Sequence, residues 1–270
     1  MLSLLIGELN ILFFGYTNIH LKIKVKSDIM TIKKRVEDYT SDCIPTGALR
    51  NAHNKIEIEK ELIIENNEYA KINRDLFKSH NIYVVNLLSS PGAGKTSILE
   101  ATLRDFDYGY NVYVIESDLQ TDRDLEIIKS LGVDSMQINT DNGGYLDAEM
   151  IFESVRKMRI KDNSILFIEN IGNLISPSFF DLGESLRVIV SSVTEGEDKP
   201  LKFPYMYETA NMCLINKIDL LPHITTRLEI LRKNIYAINS GILINEISAL
   251  TGENIDVWRE TLIQKVRKFK

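Results

Sequence analysis

The chain has 270 residues, 44% of them hydrophobic and 26% charged, with a formal charge of −6 and two cysteines. That length holds one large domain or two small ones, and the hydrophobic share excludes a disordered chain and a repetitive fibre. Net acidity argues against a general nucleic-acid binder, and two thiols exclude a disulfide framework or a four-thiolate zinc site, so a reducing, cytoplasmic setting is the expectation.

Met1–Tyr16 (MLSLLIGELNILFFGY) is strongly apolar, interrupted by Glu8 and followed by Lys22, Lys24 and Lys26. It lacks the basic start and the A-x-A-like cleavage site of a secretory signal, and it is shorter than the ~20 apolar residues of a membrane span. Two readings stay open, a membrane anchor and an appended segment from an upstream start. Met30 opens a polar stretch, MTIKKRVEDYTSD, that would serve as a natural beginning. Residues 1–44 are set apart as an N-terminal extension, and one α/β domain with a helical lead-in is expected over 45–270.

The lead-in, Pro45 to Lys78, has few breakers after Gly47; Ile56, Ile58, Leu62, Ile63, Tyr69 and Ile72 suggest one or two amphipathic helices. Strands and helices then alternate. Strands are predicted over Tyr83–Leu88, Asn111–Glu116, Ile165–Glu169, Leu186–Val193, Cys213–Asn216 and Ile242–Ile247. Helices are predicted over Thr96–Arg104, Asp122–Leu131, Leu146–Met158, Thr225–Ile235 and Ile255–Lys268. Apolar strands joined by helix-length crossovers imply a mostly parallel sheet, covered on both faces and built from right-handed βαβ units.

The sharpest motif is Ser89-Ser90-Pro91-Gly92-Ala93-Gly94-Lys95-Thr96-Ser97. It fits the phosphate-loop pattern G-x-x-x-x-G-K-S/T except at its first position, where Ser89 stands for glycine. Gly92 and Gly94 allow the backbone to curl its N–H groups towards an anion, and the following helix adds its positive end. Lys95 can neutralise β- and γ-phosphates, and the Thr96 hydroxyl can ligate Mg²⁺. Asn216-Lys217-Ile218-Asp219 is an N-K-x-D element at a strand end. The Asp219 carboxylate can accept from guanine N1 and N2, an arrangement that adenine leaves unpaired, and the Lys217 stem can lie along a base plane. Ser248-Ala249-Leu250, after the last strand, has the place and type of a loop that supports guanine O6 by backbone N–H.

Two acidic strand ends lie between these motifs, Ile115-Glu116-Ser117-Asp118 and Glu169-Asn170-Ile171-Gly172. Strand C-termini converge beside the phosphates in a parallel sheet. Asp118 and Glu169 are candidates for Mg²⁺ and for orienting the attacking water, and Gln120 is a further candidate for the water.

Together these residues resemble the HypB family, GTPases that assist nickel delivery to NiFe-hydrogenase. The resemblance rests on NLLSSPGAGKTSILE (86–100), SDLQTDRD (117–124), QINTDNGGYLDA (137–148), LFIENIGNLISPSFFDLGE (166–184), SVTEGEDKPLKFP (192–204), LINKIDLLP (214–222) and SALTGEN (248–254). It implies a three-layer P-loop NTPase of the dimerising class and a GTP- and Mg²⁺-dependent homodimer. It also implies a HypA-like nickel chaperone and a hydrogenase large-subunit precursor as partners; neither nucleic acid nor a membrane is expected. The family's GTPase domain usually holds a metal on a Cys-His pair and a second Cys. The corresponding residues here are Gly144, Tyr145 and Ser176, none of which offers a thiolate or an imidazole, and this puts nickel or zinc binding in question. The N-terminal Cys motif or His-rich tract of some members is absent. His20, His53, His80 and His223 are scattered, and Cys43 and Cys213 do not replace the lost ligands. The resemblance therefore leaves two functions open: a GTPase working in nickel insertion, and a GTP switch that carries no nickel itself.

Overall fold

The computed structural model describes residues 46–118, 123–140, 145–173 and 176–269, with 46–61, 118, 123–125 and 176 described as backbone alone. Contacts divide the chain into two units, Met1–Glu59 and Lys60–Lys270. The N-terminal extension and the expected domain start at residue 45 lie outside the described residues. Of the first unit the description covers helical backbone from residue 46 onward.

The element order is α1 (Thr46–Ser79), β1 (Ile82–Ser89), α2 (Lys95–Leu103), β2 (Asn111–Asp118), α3 (Arg123–Ser130), β3 (Asp134–Asn139), α4 (Ala148–Met158), β4 (Ser164–Gly172), α5 (Ser176–Phe179), β5 (Leu186–Ser192), α6 (Lys199–Lys202), α7 (Pro204–Thr209), β6 (Met212–Asn216), α8 (Leu228–Ile238), β7 (Leu243–Glu246) and α9 (Ile255–Lys268). Short 3₁₀ turns cover Val193–Glu195 and Ile218–His223. The seven strands form one sheet in the order β3-β2-β4-β1-β5-β6-β7, and every pairing is parallel. This is the helix–sheet–helix α/β architecture expected from the apolar strands.

Alternation along β1 builds both faces. Tyr83, Val85 and Leu87 join Phe167, Val188 and Leu214 in a core closed by α2 and α9. Ile82 and Val84 point the other way, into a core with Phe77 of α1 and Ile151 of α4. Leu88 shares that second face but meets Ile189, Cys213 and Leu231 of α8. Burial, and then the Glu195 charge, push the Cys213 thiol far up, so it packs as a neutral core atom. Met206, Tyr207 and Met212 are buried too, which places much of the apolar stretch 203–212 in the core, while Tyr205 stays 43% exposed.

The lead-in, expected as one or two helices, is a single 34-residue helix. Two differences from the expected elements have local causes. The edge strand β3 (DSMQIN) was not anticipated: it pairs only with β2, is nowhere buried and lacks an apolar run. Finally, α8 starts at Leu228 rather than Thr225. The Thr226 hydroxyl donates to the Val193 carbonyl (2.8 Å) and the Arg227 N–H to the Glu197 carboxylate (2.9 Å), so these residues are held outside the helix.

Candidate functional site

β1 is flanked by β4 and β5, so its C-terminal end lies where the chain's crossovers change direction. Clefts open at such points in parallel sheets. There the loop Ser89–Gly94 turns into α2. Gly92 and Gly94 have φ of +74° and +98°, in the left-handed region. A Cβ on Gly94 would lie 2.5 Å from Asn216 Nδ2, so glycine is also required by close packing. Lys95 is 9% exposed and its ammonium donates to Ser89 Oγ at 2.8 Å. The departure at Ser89 is thus used locally, as an acceptor for the loop lysine. Pro91 and Gly92 are exposed, Ala93 is buried and Ser97 is exposed on the first turn of α2.

The Thr96 hydroxyl donates to Glu169 Oε1 at 2.6 Å, which joins the phosphate-loop threonine to the β4 strand end. Glu169 stands opposite Glu116 in the β2–β4 register. Asp118 closes β2, opposite Asn139 of β3. Its side chain, and Gln120 entirely, lie outside the described residues. Thr96 and Glu169 together present hard oxygen donors, the set that Mg²⁺ accepts.

Asn216 joins three parts. Its Nδ2 donates to the Ala93 carbonyl (3.0 Å), and its Oδ1 accepts from the Ala249 N–H (3.1 Å). That backbone N–H, expected to face guanine O6, is therefore engaged by Asn216 here. Lys217 has a left-handed φ of +66°, and its ammonium reaches back to the Gly92 carbonyl at 2.7 Å. Ser248 Oγ donates to Asp219 Oδ1 at 2.5 Å and itself accepts from the Thr251 N–H at 3.1 Å. These residues surround a cleft of about 640 Å³ lined by Gly94, Ser97, Lys217, Asp219, Ala249 and Leu250 among others. Leu250 stands 85% exposed at its rim. The volume falls in the range of small-molecule sites.

The profile of the CobW/HypB/UreG nucleotide-binding domain matches residues 83–246. Hydrogenase maturation factor HypB of Escherichia coli K12 is 44% identical over 203 residues, which cover 75% of this chain and 70% of that protein. The chain belongs to the HypB family. The crystal structure of HypB from Archaeoglobus fulgidus superposes with a TM-score of 0.70 at 32% identity, over 75% of this chain and 99% of that one. The structure of HypB from Helicobacter pylori in complex with nickel gives 0.71, also at 32% identity, over 76% and 96%.

Of the three positions at which the resemblance leads one to expect metal ligands, Tyr145 is the one whose side chain the structure describes. Tyr145 stacks face to face on Phe180, with ring centroids 4.6 Å apart and planes 1° from parallel. Gly144 and the Ser176 side chain lie outside the described residues. His80 pairs with Asp162 on the surface (2.8 Å). Among the described residues, no group of three or more His, Cys, Asp or Glu side chains could hold a metal ion. Nor, among them, is any helix long and apolar enough to cross a membrane.

Two polar assemblies escaped the motif reading. Ser90 of the phosphate loop donates to Glu195, and Lys199 donates to both; Ser90 and Lys199 are buried. The block VTEGEDK was the available signal, but it gave no role to either charge. Earlier along β1, Asn170 donates to Asn86 (3.3 Å) and Asn86 to Glu184 (3.2 Å), whose carboxylate binds Arg187 (2.6 Å). These residues line up only because β1, β4 and β5 are adjacent.

Proposed function

We propose that this protein is a Mg²⁺-dependent GTPase of the HypB type, hydrolysing GTP to GDP and phosphate to assist nickel insertion into NiFe-hydrogenase. The observation that carries the reading is the bonding of the phosphate loop, N-K-x-D and the 248–251 loop around one cleft through Asn216, Lys217 and Asp219. The residues 91–97 bind the phosphates, with Lys95 turned from Ser89 to the β- and γ-oxygens. Thr96, with Glu169 and Asp118, would hold Mg²⁺, which when bound neutralises charge developing on the phosphates. Gln120 and the strand-end acids orient the attacking water. Phosphoryl transfer needs positioned charge more than a strong base, so these roles rest on placement. Asp219 reads the guanine edge, Asn216 fixes the geometry, and Lys217, Ser248, Ala249 and Leu250 enclose the base.

The proposed working form is a GTP-dependent homodimer in the cytoplasm. It would receive nickel with a HypA-like chaperone and act on the hydrogenase large-subunit precursor. A mass that stays monomeric by light scattering in GTP and Mg²⁺ would count against the dimer. The test of the chemistry is GTP turnover by the full chain and by Lys95→Ala. The variant should lose at least ~10²-fold in kcat/KM, as when a charge aimed at the transition state is removed; undiminished turnover would refute the phosphate-loop assignment.

The Tyr145–Phe180 stack favours a second reading on cargo alone. Where the resemblance leads one to expect an imidazole, this chain has a stacked phenol, which supports a GTP switch that operates without holding nickel in this domain.

A further inference from the structure

Behind the base cleft, α9 and the phosphate-loop helix α2 are joined by a side chain that belongs to neither nucleotide motif. The last carbonyls of a helix have no partner within it and carry the negative end of its dipole. Arg259 of α9 meets this end of α2. Its Nε donates to the Thr102 carbonyl (2.9 Å), and Nη2 donates to the carbonyls of Ala101 (2.6 Å) and Arg104. Its Nη1 is held by Asp256 at 2.9 Å, and the side chain is 15% exposed. The preceding residue, Trp258, is the chain's single tryptophan. It is fully buried, and its indole N–H donates to Thr102 Oγ1 at 2.9 Å.

The position of α9 gives this contact its consequence. The helix begins at Ile255, directly after the loop whose Ser248 donates to Asp219. α2 begins at Lys95 and Thr96. In front of the cleft, Asn216 ties the phosphate loop to Ala249. Arg259 is the rear tie between the same two halves, and it lines the cleft with Arg104 and Asp256.

We propose that Arg259 is a positioning residue for the nucleotide: by spanning α9 and the C-terminus of α2 it fixes the separation between the base-reading loop and the phosphate loop. This rests on the guanine-nucleotide reading above. The base and the α- and β-phosphates are held alike before and during phosphoryl transfer, so loss of the tie removes uniform binding. KM rises, kcat does not fall, and GDP weakens in step with GTP.

The test uses the full chain, its Arg259→Met and Arg259→Lys variants, steady-state GTP hydrolysis, and GDP titration followed by Trp258 emission. Lysine keeps a positive charge at the helix end, and hence the thermal midpoint, but cannot span the carbonyls that the guanidinium fork reaches. Both variants should raise KM for GTP and Kd for GDP together by roughly tenfold, with kcat within about twofold. Unchanged KM and Kd in Arg259→Lys, or a lower thermal midpoint in Arg259→Met with unchanged KM and Kd, overturns the proposal and leaves Arg259 a structural cap. A fall in kcat at constant KM overturns it as well. Failure of the unaltered protein to bind GTP shows itself before any variant is made, and removes the guanine reading along with this one.

Discussion

Lys217 shows how much a single residue contributes to the candidate site. A side chain at φ +66° is strained, and the surrounding structure must hold it there. Its bond to the Gly92 carbonyl and the tight fit of Gly94 against Asn216 supply that constraint. Lys217 is thereby held in the lining of the cleft. Asp219, two positions on, is oriented by Ser248. Asp219→Asn replaces one acceptor with a donor while keeping the shape. Binding of GTP should fall by roughly 10²-fold or more and preference should move to xanthine nucleotides, since a buried mismatch leaves polar groups unpaired. Competition between GTP and XTP for the variant measures this, and an unchanged preference would remove the guanine assignment.

At the scale of elements, the part of α1 that lies in the second unit is attached to the rest of that unit by amides as well as apolar packing. Asn66 donates to the Asp181 carbonyl (2.8 Å) and accepts from the Ala148 N–H (2.8 Å). Asn73 donates to the carbonyls of Ala148 (2.7 Å) and Leu182 (3.0 Å). Gly183 permits this close approach. Its φ is +84°, and a Cβ there would stand 2.7 Å from the Ala70 carbonyl oxygen. Gly183→Ala should therefore cost about 1–3 kcal/mol, combining backbone strain with overpacking, and urea unfolding monitored by Trp258 should report the loss. The same junction is sensitive to acid. Burial alone would raise the Asp181 pKa, but the Gly183 N–H and the Arg74 guanidinium outweigh it and hold the pKa below the ordinary carboxylate value. The stabilisation is complete above that ordinary value and is lost as pH falls through the lowered one, so the α1 junction weakens only in acid.

For the whole molecule, the open quantity is cargo. On the reading without nickel, equilibrium dialysis against micromolar Ni²⁺ or Zn²⁺ should leave no tightly held ion on the nucleotide domain, because Tyr145 is a stacked phenol where the resemblance leads one to expect an imidazole. One tight ion per protomer or per dimer would refute the reading in which this domain carries no nickel.

The amino-acid sequence by itself determined the α/β class, six of the seven strands and the three motif loops. Apolar runs of strand length, glycines that must turn, and Lys-Thr or N-K-x-D at a strand end are local signals that need no knowledge of neighbours. β3 escaped because an edge strand need not be apolar throughout. Only the tertiary structure decided which motifs touch: Thr96 with Glu169, Asn216 with Ala93, Lys199 with Ser90, and Arg259 with the end of α2. Each of these pairs lies far apart along the chain and becomes adjacent through the strand order and helix packing. A local pattern cannot encode that order, because it is chosen by the packing of the whole sheet and its covering helices.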